Sequence, residues 1–312
     1  MIYKIALTAG IVLSFVGSYL AHQRLDMPDQ PEILPGWRCE RIVSMAPSLT
    51  ETLYALGLGD RVVGVTRYCK YPPDVADKPR IGGYFDPNFE AILALQPDLI
   101  VMLEEHEQSL PALHKLKLGT RVVSHKTIEG IIDSFRSLGR ICGRGPEGRR
   151  MASDYEAQLR WIQRKTAGLP RPRVLVAVDR TRNQGHLTDV YVAGDDGYFD
   201  RMIELAGGQN AHRENRVRYP VVSSEGIMWL NPDIIVDLVG ETALKKQDNS
   251  SFEAEWDELG QVDAVKNHRV FVFGQDYADV PGPRFLRIVR DLARILHPDV
   301  DWDRTDEPTT AD

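Results

Sequence analysis

One phrase occurs twice in this chain of 312 residues: EAILALQPDLIV from Glu90 to Val101 and EGIMWLNPDIIV from Glu225 to Val236. Each copy opens on a Glu, runs through an apolar stretch suited to the end of a helix, breaks at Pro-Asp and resumes as a β-branched strand. Glu90 matches Glu225, Ile92 Ile227, Leu95 Leu230, Pro97 Pro232, Asp98 Asp233, Ile100 Ile235 and Val101 Val236. Any α/β protein reuses a helix–Pro–strand junction, because Pro cannot continue a helix and biases the residue before it towards extended geometry. Seven matched residue types in one register go further. They predict two similar halves with the two Glu residues at equivalent positions.

The net charge of −7 leaves no excess of Lys and Arg to replace phosphate counterions, which argues against nucleic acid as a partner. At 43% hydrophobic and 27% charged, the composition is that of a soluble globular protein. Lys4 precedes an uncharged run from Ile5 to Ala21, short for a membrane span and suited to the core of a secretory signal. A cleaved signal and an uncleaved N-terminal anchor both fit that run, and either places the rest of the chain in the periplasm or another extracytoplasmic space. No Cys follows the run closely, which argues against a lipid-anchored lipoprotein. Three cysteines, Cys39, Cys69 and Cys142, leave at least one thiol unpaired. A Cys39–Cys142 bridge suits an oxidising space, and the sequence leaves it open.

Strands and helices then alternate. Arg41–Met45 reads as a strand, and Ser48 with Glu51 as a capping box ahead of a helix over Leu49–Leu56. Val62–Val65, Leu99–Met102 and Arg121–Val123 read as further strands, with a helix over Pro87–Leu95. Two helical stretches follow, Thr127–Cys142 and Glu147–Lys165, broken at Gly143–Pro146. Strands return at Arg173–Val178, Ile234–Val236 and Arg269–Phe273, with helices at Gly197–Ala206, Ser251–Leu259 and Pro283–Leu296. The expected fold class is α/β: two similar lobes with mostly parallel sheets, joined by one long bridging helix, with a ligand cleft between them. The expected division is 1–38 as signal peptide or anchor plus tether, 39–143 as the first lobe, 144–168 as the bridging helix, 169–298 as the second lobe and 299–312 as an acidic disordered tail.

Catalytic signatures are missing from this pattern. The eight His residues are scattered without an HExxH or His-x-His grouping, and Gly82-Gly83-Tyr84 lacks dinucleotide spacing. Weight therefore moves from enzyme to binding protein, with no cofactor and no metal site expected. In open α/β sheets ligands gather beyond the carboxyl ends of the strands. Loops there carry Tyr68, Tyr71, Tyr84, Phe85, Tyr219 and Tyr277, whose rings suit a large planar or greasy ligand. Arg216 and Arg218 beside Tyr219 would favour an anionic one or else form a solvated basic stretch.

The segments RIVSMAPSLTETLYALGLGDRVVGVTRYCKYPP and GGYFDPNFEAILALQPDLIVM resemble the first lobe of the periplasmic binding proteins that deliver cobalamin, haem or ferric siderophores to ABC importers. GYFDRMIELAGGQN, VVSSEGIMWLNPDIIV and PGPRFLRI resemble the second, so the likeness spans about Arg41 to His297. The resemblance implies a monomeric solute-binding protein that presents a corrinoid or ferric chelate to a permease dimer, and a bridging helix that permits only modest lobe closure. Tyr68, Tyr84, Tyr219 and Tyr277 fall where cobalamin-binding relatives place pocket aromatics, and Tyr84, Tyr219 and Tyr277 stand where a close relative would have Trp. Under a haem or siderophore reading, a Tyr or Cys69 near the cleft is the iron contact to look for. Glu90 and Glu225 match the family's permease-docking carboxylates, one on the outer tip of each lobe. A membrane-tethered α/β enzyme or sensor that reuses the fold is the alternative from another class.

Overall fold

A computed structural model describes residues 38–183, 186–194, 197–213, 217–240, 249–275, 277–278 and 280–302. The expected leader, Arg216 and all but the first residues of the expected tail lie outside them.

The first lobe runs β1 (Ile42–Ser44), α1 (Pro47–Ala55), β2 (Val62–Val65), α2 (Phe89–Ala94), β3 (Leu99–Leu103), α3 (Leu110–Lys115) and β4 (Thr120–Val123). Its four strands, ordered β2-β1-β3-β4, are all parallel, and β3 is buried along its whole length. Two helices follow, α4 (Ile128–Ile141) and α5 (Gly145–Thr166). The 22 residues of α5 span about 33 Å at 1.5 Å per residue. Pro146 lies in its first turn, where a missing N–H costs nothing, so the break read at Gly143–Pro146 shrinks to the turn at Gly143. At Gly139 and Gly148 the two helices meet backbone to backbone: a Cβ on Gly148 would sit 2.3 Å from the Phe135 carbonyl oxygen.

The second lobe runs β5 (Arg173–Asn183), β6 (His186–Val192), α6 (Tyr198–Leu205), β7 (Gln209–Asn210), β8 (Val221–Ser223), α7 (Ser224–Leu230), β9 (Ile234–Leu238), α8 (Asn249–Ala254), α9 (Asp263–Lys266), β10 (Val270–Phe273) and α10 (Phe285–Leu296). Here the sheet is mixed, ordered β10-β9-β5-β6-β8 with β7 also on β5, and β6 alone runs against the other strands. The cause lies in β5. Up to Ala177 it pairs in parallel with β9, and beyond that point its partner is the antiparallel β6. That second half carries Asp179, Arg180, Thr181 and Arg182, and the expected strand stopped short of it at Val178.

The bridging helices belong to the second core as much as to the connection. Ile131 and Phe135 of α4 and Trp161 and Ile162 of α5 are buried in one cluster with Phe199 and Met202 of α6 and Phe285 and Leu292 of α10. Each such side chain contributes about 1.5–3 kcal/mol by leaving water. Trp302 joins them, 5.8 Å from the Trp161 ring, its indole N–H donating to the His297 carbonyl. Residues 299–302 therefore extend the second lobe, contrary to a tail that starts at Asp299.

The two copies of the repeated phrase fold alike down to single hydrogen bonds. Ile42 pairs with Leu99, and Val174 with Ile234. Gln96 and Asn231, at matching places before the Pro, both take positive φ, 47° and 41°. The Asp98 carboxylate accepts from the Glu40 and Arg41 amides at 2.8 and 3.2 Å, and Asp233 accepts from the Arg173 amide at 2.7 Å. In return the Asp98 and Asp233 amides donate to the Arg41 and Arg173 carbonyls. In each lobe the Pro-Asp junction clamps the entry to the neighbouring strand. Cys39 and Cys142 form a disulfide that ties the start of β1 to the end of α4.

Candidate functional site

The carboxyl ends of β1 and β2 in the first sheet and of β9 and β10 in the second lead into loops that wall a cavity of about 510 Å³ between the lobes. From the first lobe come Pro47 and Ser48 after β1, Tyr68, Lys70 and Tyr71 after β2, and Tyr84 ahead of α2. From the second come Val178 of β5, Leu238 to Gly240 at the end of β9, Phe273 and Gln275 at the end of β10, and Pro281 and Arg284 ahead of α10. The volume lies within the roughly 300–1,000 Å³ of small-molecule sites.

The floor of this cleft is a contact between the lobes that sequence reading missed. Pro47 starts α1 two residues earlier than expected, with Ala46 at its cap, so Ser48 and Glu51 are helical and form no capping box. Glu51 instead meets Arg284 across the lobes in a bidentate pair, Nη2–Oε1 2.6 Å and Nε–Oε2 2.9 Å, both side chains buried. The Arg284 guanidinium also lies 4.0 Å from the centroid of the Tyr71 ring. Ser48 faces His125, whose Nδ1 is 3.0 Å from the Ser48 hydroxyl and whose Nε2 is 2.9 Å from that of Ser134. Burial pushes the His125 pKa down to about 3, opposed in part by the Pro281 backbone carbonyl of the other lobe. No local pattern announces these partners, since Glu51 and Arg284 are 233 residues apart.

The predicted aromatics divide. Tyr68 and Tyr84 line the main cavity. Tyr84 stands on a tight loop that needs glycine: Gly82 has φ +101°, and a Cβ there would lie 2.5 Å from the Asp86 carbonyl. Hydrogen bonds from Arg67 to Gly82 and from Gly83 to Asp86 hold that loop, and an Arg67–Asp86 ion pair closes it. Tyr84 and Tyr219 together line a side recess of about 100 Å³ with Glu105, Tyr198 and Arg218. Burial raises the Tyr84 hydroxyl to about 12, the nearby Glu105 carboxylate adding to the rise. Phe85 packs edge-on against Tyr84 at 4.7 Å and is exposed, lining neither space. Tyr277 is turned away: its hydroxyl donates to Asp291, and its ring lies under Arg284 and Arg287. Its neighbours Gln275 and Ala278 reach the cavity in its place. Cys69 is a free, buried thiol whose sulfur is 3.2 Å from the hydroxyls of Thr50 and Thr66, away from the cleft lining.

Glu90 and Glu225 lie far from these groups in character. Both are exposed in the first turn of their helices, which Asn88 and Ser223 cap by accepting from the amides of Ala91 and Gly226. Glu225's own backbone amide and the Ser223 hydroxyl hold its carboxyl below the ordinary range. On the same face stand Leu93 and Ala94 in the first lobe, and Met228 and Trp229 in the second.

A family model described as periplasmic binding protein matches residues 42–277. An uncharacterized ABC transporter substrate-binding lipoprotein, YvrC of Bacillus subtilis (strain 168), is 30% identical over 270 residues, which cover 83% of this chain and 81% of that protein. The vitamin B12-binding protein of Vibrio cholerae is 28% identical over 263 residues, 82% of this chain and 89% of its own. Among solved structures, a possible iron-binding periplasmic solute-binding protein from Staphylococcus epidermidis ATCC 12228 is 26% identical and superposes with a TM-score of 0.69, covering 83% of this chain and 98% of that one.

Proposed function

The chain belongs to the periplasmic binding protein family, and on that premise we propose that it captures a corrinoid or a ferric chelate in the inter-lobe cleft and delivers it to an ABC importer. The observation that carries this reading is the cavity of about 510 Å³, walled by both lobes at the carboxyl ends of their strands and faced by Tyr68, Tyr71 and Tyr84. The rings offer flat apolar surfaces with polar tips, which suits a large planar ligand. The V. cholerae relative's name supports a corrinoid, and the S. epidermidis structure's supports an iron-bearing ligand as the second reading.

The protein acts as a binding protein rather than an enzyme, as a monomer, and outside the cytoplasm, where it is exported by a cleaved signal or held by an uncleaved N-terminal anchor. Among the described residues no helix is long and apolar enough to cross a membrane. The α5 helix, built into the second core, together with the Glu51–Arg284 pair, restricts lobe movement to small adjustments. Glu90 and Glu225 dock the two lobes on the two permease subunits, each offering a carboxylate to bidentate arginine contacts.

The test is titration of the protein with cyanocobalamin, haemin and ferric siderophores, followed by ligand absorbance and tryptophan quenching. Saturable one-to-one binding of one of the three is expected, weakened by Tyr84→Ala. Failure of all three removes the ligand class.

A further inference from the structure

We propose that the side recess beside Tyr84 receives a primary carboxamide arm of the ligand, with Tyr198 and Arg218 donating to its carbonyl and Glu105 accepting from its NH₂. This rests on the proposed ligand class and sorts within it.

The recess, about 100 Å³, holds the few heavy atoms of such a group. Two of its polar atoms lack partners. The Tyr198 hydroxyl, on a residue only 5% exposed, makes no hydrogen bond, and neither does Oε2 of Glu105, which is likewise shielded from solvent. Buried polar groups are ordinarily satisfied, so a donor and an acceptor both left open in one recess point to a visitor that completes them. Arg218 adds a second donor on the same wall, close enough to Tyr84 and Tyr219 for its charge to favour their ionised forms. The cavity thus presents donors and an acceptor together.

Three kinds of ligand arm can be compared against that set. A carboxylate accepts from Tyr198 and Arg218 but sets a like charge against Glu105. An ammonium satisfies Glu105 but leaves Tyr198 and Arg218 open. A primary amide, with one carbonyl and two N–H donors, meets all three. The edge of a corrinoid carries primary amides, whereas that of haem carries carboxylates, so the recess selects the former.

Cyanocobalamin and its peripheral monocarboxylic acid, in which one amide has become an acid, are titrated at neutral pH against the wild-type chain, Glu105→Gln and Tyr198→Phe, with melting temperatures as a control for folding. Wild type should prefer cyanocobalamin by about tenfold or more, because a site built to hydrogen-bond a group rejects the analogue that mispairs it. Glu105→Gln should remove that preference by binding the acid more tightly, since its side-chain amide donates to the added carboxylate. Tyr198→Phe should weaken cyanocobalamin several-fold, and it carries the test together with the wild-type ratio should Glu105→Gln not fold. Equal wild-type affinities, or a ratio unmoved by Glu105→Gln, overturn the proposal. Binding of haemin without either corrinoid also overturns it while leaving the solute-binding reading intact. Binding of no corrinoid, haemin or ferric siderophore overturns both.

Discussion

The two copies of the repeated phrase agree wherever the backbone needs them and differ where it does not. In both, a left-handed residue, a Pro and an Asp clamp turn a helix into a strand whose neighbour is held in the same register. Outside that frame they part. The first copy follows a glycine loop that lifts Tyr84 into the cleft, while the second follows an edge strand, β8, of a sheet with no antiparallel counterpart in the first lobe. Beside Glu90 stands Leu93, 39% exposed, and beside Glu225 stands Trp229, 75% exposed. The two lobes share a scaffold and differ in the side chains they turn to the cleft and to solvent.

The difference with the largest expected effect is covalent. The first copy's neighbouring strand is both clamped by Asp98 and tethered by the Cys39–Cys142 disulfide, which closes a loop of 103 residues, whereas the second relies on Asp233. Replacing both cysteines by Ser should cost about 3–5 kcal/mol in urea unfolding. With the disulfide intact, Asp233→Ala should cost about 1–3 kcal/mol and Asp98→Ala less, the two becoming comparable once the cysteines are gone. Equal costs in the oxidised protein would break the comparison.

A second contrast titrates. By strand register His125 follows β4 where Gln275 follows β10, and one is a buried imidazole while the other is exposed. With its folded pKa near 3, His125 stays neutral in the native protein at pH values where the unfolded chain binds a proton, below about 6.5. Stability is therefore fully present above that value and falls as pH drops from about 6.5 towards 3. This one group should remove about 2–3 kcal/mol by pH 4.5. Urea midpoints between pH 7 and 4.5 should fall less steeply in His125→Asn, and an unchanged slope would deny the histidine its place in the lobe contact.

The smallest effect sharpens the outer faces. An exposed Trp one turn beyond the proposed docking carboxylate is placed to bury ring area against whatever meets Glu225. Binding to the importer in nanodiscs should weaken about tenfold or more in Trp229→Ala and no more than about threefold in Leu93→Ala. Equal losses would make the two tips equivalent despite their side chains.

Much of this was legible in advance for a physical reason. The repeat, the helical gap and the buried strands are local patterns, and local patterns report on backbone periodicity. What stayed hidden depends on distant partners. Ser48 and Glu51 fit a capping box until Pro47 is seen to start the helix and leave both free for His125 and Arg284. The second half of β5 reads as polar because only β6 accompanies it, and Trp302 reads as tail because its burial depends on Trp161. Of the proposed ligand residues, Tyr68, Tyr84 and Tyr219 are legible from loop position, which suffices to bring a side chain near the cleft. Tyr277 shows the limit, since Asp291 holds its hydroxyl elsewhere.

The equivalence of the two tips is tested most directly by uptake through the importer in a complemented strain carrying Glu90→Ala with Glu225→Ala. Docking through both carboxylates predicts ligand affinity equal to wild type and uptake lowered at least about tenfold, each single variant lying between. Undiminished uptake by the double variant would contradict it.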